Sequence, residues 1–410
     1  MRRLRINLSS AASVLVFVSL ICLQAPSFAA QDQSIGSMRD TWSGKLFPDK
    51  AVRTHSSFDK LFPTRMIKAS GKVKPIPKSD KPLQDIFFKS GDKPWDMVDY
   101  VTANQIVALI ILKDGKMVFE HYDRGTTDKT HWASMSVAKS FTAALVGAAL
   151  KDGAIKSLDD MVVTYLPELK GSAYEGVSLR HLLTMSSGLK WDETYVDPKS
   201  DRSRLLDLHV AQNKPGSVFE VMKTLTRAAP PGTVFKYNTG ETILLGEVLR
   251  AATKKNLADY CSEKIWKPLG MEADAPWTLD SPNGHELAGT GVNAVPRDFA
   301  RFGQFLLDGC VVDGKKLVPD WWMADATSPK ELGNMTMFYG YQLWVVNPEI
   351  HGTVHTGAYE ARGTFGQKIY IHPKEKLVVL ILSARSKPEG PHRNPVSDYD
   401  FCGAVIEALR

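Results

Sequence analysis

The sequence predicts an α/β (α+β) fold: an antiparallel sheet built from both ends of the chain, flanked by helices, with a mainly helical subdomain inserted between its strands. Three observations predict it. Residues 106–122 read as a hairpin, with an unbroken apolar run from Ile106 to Leu112, a Lys-Asp-Gly-Lys turn, and an alternating return from Met117 to Tyr122. Residues 155 to about 300 carry helical periodicity interrupted by loops. Strand-like runs return at 339–346, 367–371 and 377–382, the last two joined by the turn Pro373-Lys374-Glu375-Lys376.

The first 29 residues stand apart from the fold. Arg2, Arg3 and Arg5 precede an apolar stretch from Ala11 to Leu23, and Ser27-Phe28-Ala29 is a small-x-small cleavage site. That is the make-up of a secretory signal peptide, which predicts a periplasmic or secreted protein with no stable membrane association after cleavage. Ile21 before Cys22 is too bulky for a lipoprotein signal. Residues 30–100 are rich in Lys and Pro, which forbids long helices. They are expected as an extended N-terminal arm whose Phe and Leu side chains anchor it to a main domain at 101–410. Lys-Leu-Phe-Pro occurs twice in the arm, at 45–48 and 60–63, too short a match for a structural repeat.

Within the main domain a long helical pattern follows the hairpin, from Ser136 to Leu150, closed by Lys151-Asp152-Gly153. Ser178 is placed to cap a helix over 179–185. Residues 242–252 put Ile243, Leu244, Leu245, Val248 and Leu249 on an apolar face. A helix over 260–266 ends at Pro268-Leu269-Gly270, Pro296 opens another over 297–307, and an amphipathic helix near 404–409 closes the chain.

Composition narrows the function. The 410-residue chain has a net charge of +6, and removing the three N-terminal arginines leaves +3, too mild for a nucleic-acid partner. Cys261, Cys310 and Cys402 remain after the leader; an exported location permits one disulfide, and the odd count leaves a thiol over. Neither these nor the ten histidines have metal-ligand spacing, so no metal and no cofactor are expected.

The chemistry centres on Ser136-Val137-Ala138-Lys139. An alcohol needs a base within reach to attack a carbonyl near neutral pH. Residues i and i+3 share a helix face, so Lys139 can sit beside Ser136, and a dry pocket with cations nearby would free its amine to take the proton. Ser-x-x-Lys also occurs at 57–60, 90–93 and 187–190, but only Ser136 opens a long helix. A helix N-terminus favours a developing oxyanion. Tyr237 ends a strand-like segment just before the helix at 242 and suits the second proton handler, because a phenol near two cations ionises more easily. Tyr195 lies in a loop that either closes over a substrate or packs. The Gly-rich stretch 355–367 would let backbone approach a ligand closely.

With these residues in view, roughly residues 100 to 410 resemble the serine β-lactamase and penicillin-binding protein superfamily. The carriers are Ser136-Val137-Ala138-Lys139-Ser140-Phe141, Leu179-Arg180-His181-Leu182-Leu183-Thr184-Met185-Ser186-Ser187-Gly188-Leu189, Tyr237-Asn238-Thr239-Gly240, Trp266-Lys267-Pro268-Leu269-Gly270-Met271, Pro296-Arg297-Asp298-Phe299 and Gly366-Gln367-Lys368-Ile369. Within it the chain looks most like the class C-related branch that holds 6-aminohexanoate-dimer hydrolases and esterases. The resemblance implies a β-lactamase/transpeptidase-like fold, Ser136 as acylated nucleophile, Lys139 as its base and Tyr237 as proton shuttle. It also implies Tyr195 as a substrate-closing residue.

Two departures bear on the substrate. Thr239 stands where the Tyr-x-Asn motif has asparagine, so a contact to a substrate amide is lost or replaced at Thr239. The Lys-Thr-Gly strand motif is missing; His355-Thr356-Gly357 or Tyr359-Glu360-Ala361 take its place, with Ala361 as the candidate at the substrate. The expected activity is hydrolysis of a short ester or linear amide. The rivals are a D-alanyl peptidase or β-lactamase acting on cell wall or antibiotic, and an inactive binding module of the same fold.

Overall fold

A computed structural model describes residues 34–211, 214–388 and 395–410, and residues 34–410 form one compact unit. The leader at 1–29 lies outside the described residues. At the centre is a six-stranded antiparallel sheet made from β1 (Ile106–Lys113), β2 (Lys116–Tyr122), β3 (Trp344–Val345), β4 (Tyr359–Gly363), β5 (Gln367–His372) and β6 (Leu377–Ser383). The strand order is β3-β4-β5-β6-β1-β2, so the first hairpin pairs with the last strand and the chain's two ends close one sheet.

Strand periodicity divides the core in two. Val107, Ile110 and Leu112 of β1, Ile369 and Ile371 of β5, and Val378 and Leu380 of β6 face one apolar cluster. Leu109, Ile111, Tyr370, Val379 and Ile381 face the other. Side chains two apart share a face, and a sheet covered on both sides favours apolar residues at most positions, which is why β1 and β6 read as near-continuous apolar runs.

Among the described residues the five longer helices are α1 (Ala138–Lys151), α2 (Asp201–Ala211), α3 (Thr239–Thr253), α4 (Pro296–Leu307) and α5 (Asp398–Ala408). The α4 helix lies on the first face, where Gly303 allows the approach: a Cβ there would meet Ile369 at 2.6 Å and Val378 at 2.7 Å. The second face is closed by α5 through Phe401, Val405 and Ile406, with Tyr100 from a short helix stacked on Phe401 at 4.0 Å. Helix α1 is buried from Ala138 through Ala149, and Phe141 stacks on Phe302 of α4 at 3.6 Å. It is apolar all round because it is enclosed all round.

The N-terminal segment differs from a simple extended arm. It folds into short helices, the longest of eight residues (Pro48–His55), and a strand, Thr64–Ile67, that pairs with Ala275–Thr278. Met38, Trp42, Phe58 and Phe62 pack in one cluster with Ala133, Met135, Leu206 and Phe365. The two Lys-Leu-Phe-Pro copies behave differently: Leu46 is buried and Phe47 is 80% exposed, while Phe62 is buried.

The run expected as a strand over 339–346 pairs with the sheet only at Trp344–Val345. The chain turns there because Gly340 is pressed on the Ala326 carbonyl, Gln342 has a φ of +55°, and its amide is anchored to the Leu182 and Leu183 carbonyls at 2.9 and 3.0 Å. Cys261, Cys310 and Cys402 are all buried free thiols, so the permitted disulfide is not formed among them.

Candidate active site

Ser136 is presented by a sharp reversal. Trp132–Ala133 pairs with Asn293–Ala294, and Met135 then takes a left-handed φ of +47°. A non-glycine residue there costs about 1–2 kcal/mol, which the burial of Met135 against Trp42 and Phe365 helps to offset. One 3-10 turn, Met135–Val137, leads into α1 and puts Ser136 at its entrance. Neither Ser134 nor Val137 supplies a side-chain cap, and the Ser136 hydroxyl faces Lys139.

One turn on, Lys139 is 1% exposed. Its Nζ lies 3.1 Å from Ser136 Oγ, 3.1 Å from Thr239 Oγ1 and 2.9 Å from the Gly289 carbonyl oxygen. Burial pulls its amine down to about 7; the Glu193 carboxylate opposes that fall and the Arg202 guanidinium adds to it. The expectation of a dry pocket with a cation nearby matches this environment.

Tyr237 enters from the loop before α3, where Asn238 caps the helix by accepting from the Glu241 N–H. Tyr237 lines the same cavity as Ser136, and its ring stacks on Trp344 at 5.8 Å. The phenol does not ionise more easily, as the sequence had suggested. Burial, and then the Glu193 charge, push it above its ordinary value, outweighing Arg362 and Arg202.

Ser136, Tyr195, Tyr237, Trp344, Arg362 and Gly363 line one cavity of about 400 Å³, with Asp192, Glu193 and Lys236 also on its wall. The carboxylates come from the 191–195 loop; Arg362 comes from β4, its guanidinium 4.9 Å over the Trp344 ring. Among the described residues, no group of His, Cys, Asp and Glu could hold a metal.

Thr239 and Ala361, both expected at the substrate, do not line this cavity. Thr239 is 1% exposed and its hydroxyl is enclosed between Lys139 and Glu193. Ala361 is fully buried opposite Ile369 in the sheet. The part of β4 that reaches the cavity is Arg362–Gly363, because Gly363 docks directly on the serine turn: a Cβ there would meet the Ser134 carbonyl oxygen at 2.8 Å. His355 bonds Tyr370 at 2.8 Å on the other side of the sheet and takes no part in lining the cavity.

Tyr195 does reach the cavity, with its OH donating to Glu193 at 3.0 Å and its ring stacked 5.1 Å from Trp42. Sequence reading missed Glu193, Arg362, Trp344 and Trp42. The substitution of asparagine by Thr239 was the one signal that another group must complete the contacts of Lys139.

Comparisons with known proteins show what the chain is similar to. A 6-aminohexanoate-dimer hydrolase of Paenarthrobacter ureafaciens is 28% identical over 299 residues, covering 70% of this chain and 74% of its own. A beta-lactamase of Escherichia coli is 23% identical, covering 69% and 81%, and a D-aminopeptidase of Brucella anthropi is 29% identical over 40% of this chain and 31% of its own. Among solved structures, a Bacillus anthracis protein provisionally assigned as a 6-aminohexanoate-dimer hydrolase superposes with a TM-score of 0.76 at 23% identity, covering 91% of this chain and 98% of that one. The octameric penicillin-binding protein homologue of Pyrococcus abyssi has a TM-score of 0.57 at 20% identity, covering 71% and 73%, and shares the β-lactamase/transpeptidase-like fold. The Beta-lactamase family model matches residues 102–397, from the helix before β1 to the last strand and beyond it, and on that match the chain belongs to the beta-lactamase family.

Proposed function

We propose that the protein is an exported serine hydrolase that cleaves linear amides or short esters through an acyl-enzyme. The observation that carries this reading is the 3.1 Å approach of Lys139 Nζ to Ser136 Oγ with the amine brought to about 7. An amine near that value is about half neutral at pH 7, far more than an ordinary lysine, and is well matched to take a proton in the transition state.

In acylation the Ser136 Oγ–H proton passes to Lys139 as the Oγ–C bond forms and the carbonyl π electrons move onto oxygen. The Ser136 backbone N–H at the helix entrance, with the β4 backbone at Gly363 beside it, would hold that oxyanion. The tetrahedral intermediate collapses with loss of the amine or alcohol, which receives its proton through Tyr237. Held neutral by burial, Tyr237 serves as a relay that gives one proton as it accepts another. Water then adds to the acyl carbon by the reverse path, and Ser136 Oγ regains its proton as the acid leaves.

The relatives named for 6-aminohexanoate-dimer and D-amino-peptide hydrolysis support a linear amide. The absence of a Lys-Thr-Gly sequence weighs against recognition of a β-lactam carboxylate. Export rests on the leader-like sequence at 1–29; among the described residues no helix is long and apolar enough to cross a membrane.

Ser136→Ala tests the reading. It should abolish p-nitrophenyl ester and linear aminohexanoate amide hydrolysis and labelling by a fluorophosphonate, with folding intact. Unchanged turnover would sink the assignment, no labelling of the wild type would favour the inactive module, and efficient nitrocefin cleavage would favour the β-lactamase.

A further inference from the structure

Lys139 has three polar neighbours, and their donors and acceptors lead to a residue beyond Ser136, Lys139 and Tyr237. A neutral amine has two N–H donors and one lone pair. Nζ of Lys139 faces the Gly289 carbonyl oxygen at 2.9 Å, the Thr239 hydroxyl at 3.1 Å and the Ser136 hydroxyl at 3.1 Å. The carbonyl can only accept, so it takes one N–H. The hydroxyls of Thr239 and Ser136 can each give or receive, and which one faces the lone pair decides whether the base is aimed at the nucleophile.

Glu193 decides it. Its Oε1 receives the Thr239 hydroxyl proton at 2.5 Å, and its Oε2 accepts from the Thr239 backbone N–H at 2.9 Å. Trp191 Nε1 donates to Oε2 at 2.6 Å and the Tyr195 hydroxyl to Oε1 at 3.0 Å, so the carboxylate is fixed by groups that can donate. With its proton committed to Glu193, Thr239 presents only a lone pair to Lys139 and takes the second N–H. The remaining tetrahedral position of Nζ, its lone pair, is left for the Ser136 O–H.

We infer that Glu193 is a positioning residue which, through the Thr239 hydroxyl, orients the Lys139 lone pair onto Ser136 and steadies the ammonium formed when Lys139 takes the proton. This rests on the Ser136–Lys139 reading and extends it. It also accounts for Thr239 at the asparagine position: the residue serves the base instead of the substrate.

Other charged and titratable groups face this pair. Arg202 on α2 has its Nε 3.8 Å from Glu193. Tyr237 and Tyr339 lie within the field of Glu193. Burial pushes the carboxyl of Glu241 on α3 up to about 8, away from the charged form. Arg362 acts on Tyr237 from β4. Glu193 is the carboxylate that acts on Lys139, and Arg202 is the cation that opposes it.

The test follows the rate of Ser136 labelling by a fluorophosphonate from pH 5 to 9, which needs no knowledge of the natural substrate. In that reaction the Oγ–P bond forms, fluoride leaves and the serine proton goes to Lys139. Glu193→Gln, of equal size, should move the acid limb of the profile to lower pH by roughly half a unit or more, because loss of the anion makes the ammonium easier to deprotonate. Thr239→Val should slow labelling by on the order of tenfold to hundredfold, Thr239→Ser should recover most of the rate, and Glu193→Gln should add little on top of Thr239→Val. An acid limb that stays where the wild type has it, a Thr239→Ser variant as slow as Thr239→Val, or independent multiplication of the two losses would each overturn the inference. A wild type that is not labelled at Ser136 would instead overturn the Ser136–Lys139 reading itself.

Discussion

Lys139 and Lys368 are both buried, at 1% and 6% exposure, yet they are held in opposite states. Burial lowers Lys139 to about 7, because its immediate partners are two hydroxyls and a carbonyl and the nearest carboxylate reaches it only across Thr239. Burial opposes the charge of Lys368 as well, but Glu360 at 3.2 Å and Asp398 at 3.3 Å outweigh it and hold the ammonium above its ordinary range. Tyr399 adds a ring 4.2 Å from its Nζ. Desolvation alone therefore does not make a base; the charge of the atoms in direct contact does. One lysine is kept ready to change state, and the other is kept from changing.

Replacing each lysine by a similar apolar residue should separate those roles. Lys139→Met removes the proposed proton acceptor and should lower labelling of Ser136 and ester turnover by about 10²–10⁴-fold, with folding retained, because no carboxylate in direct contact with Lys139 loses its counter-charge. A Lys139→Met enzyme within tenfold of wild type would break the comparison at its catalytic half.

Lys368→Met should do the reverse. It leaves Glu360 and Asp398 short of a buried counter-charge, and breaking such a cluster costs about 3–5 kcal/mol. Arg385, 2.8 Å from Asp398, and Arg362, 3.3 Å from Glu360, soften the loss. The expected readout is a large fall in the urea midpoint with an unmoved acid limb in the labelling profile. A limb that moved by a full unit would mean that the cluster around Lys368 tunes the active site too.

How much of this was legible in the sequence depends on how local each feature is. The sheet could be read because β1 and β6 are apolar on both faces, and α1 because Phe141 to Leu150 is a long apolar run closed by Lys151. The Ser136–Lys139 pair could be read because three residues along a helix bring side chains together without help from the rest of the fold. Glu193 could not, since an acidic residue in a loop looks solvated until a residue 46 positions away is docked on it. Arg362 and Gly363 were displaced from the expected Ala361 for a similar reason: which strand residue reaches the cavity depends on how β4 seats against the serine turn. Trp42 lay hidden in a Lys- and Pro-rich segment, where nothing local shows that it will stack on Tyr195.

The gentlest test changes no residue at the Lys368 cluster and reads the comparison from stability alone. In the unfolded chain Lys139 titrates near its ordinary 10.5, and in the folded protein near 7. Between those values the unfolded chain holds the proton that the folded protein has released, so stability rises with pH, by up to about 1.4 kcal/mol per pH unit from this group. Lys368 has the opposite shift: its contribution is complete below 10.5 and is lost only as pH rises through its elevated folded value, so it adds no slope in this window. Urea unfolding of wild type and Lys139→Met at pH 7, 8 and 9 isolates the effect, because the other titrating groups are common to both. The wild type should gain on the variant at each step. Parallel curves would mean that Lys139 is protonated in the folded protein, and that the two lysines differ in their partners without differing in their charge.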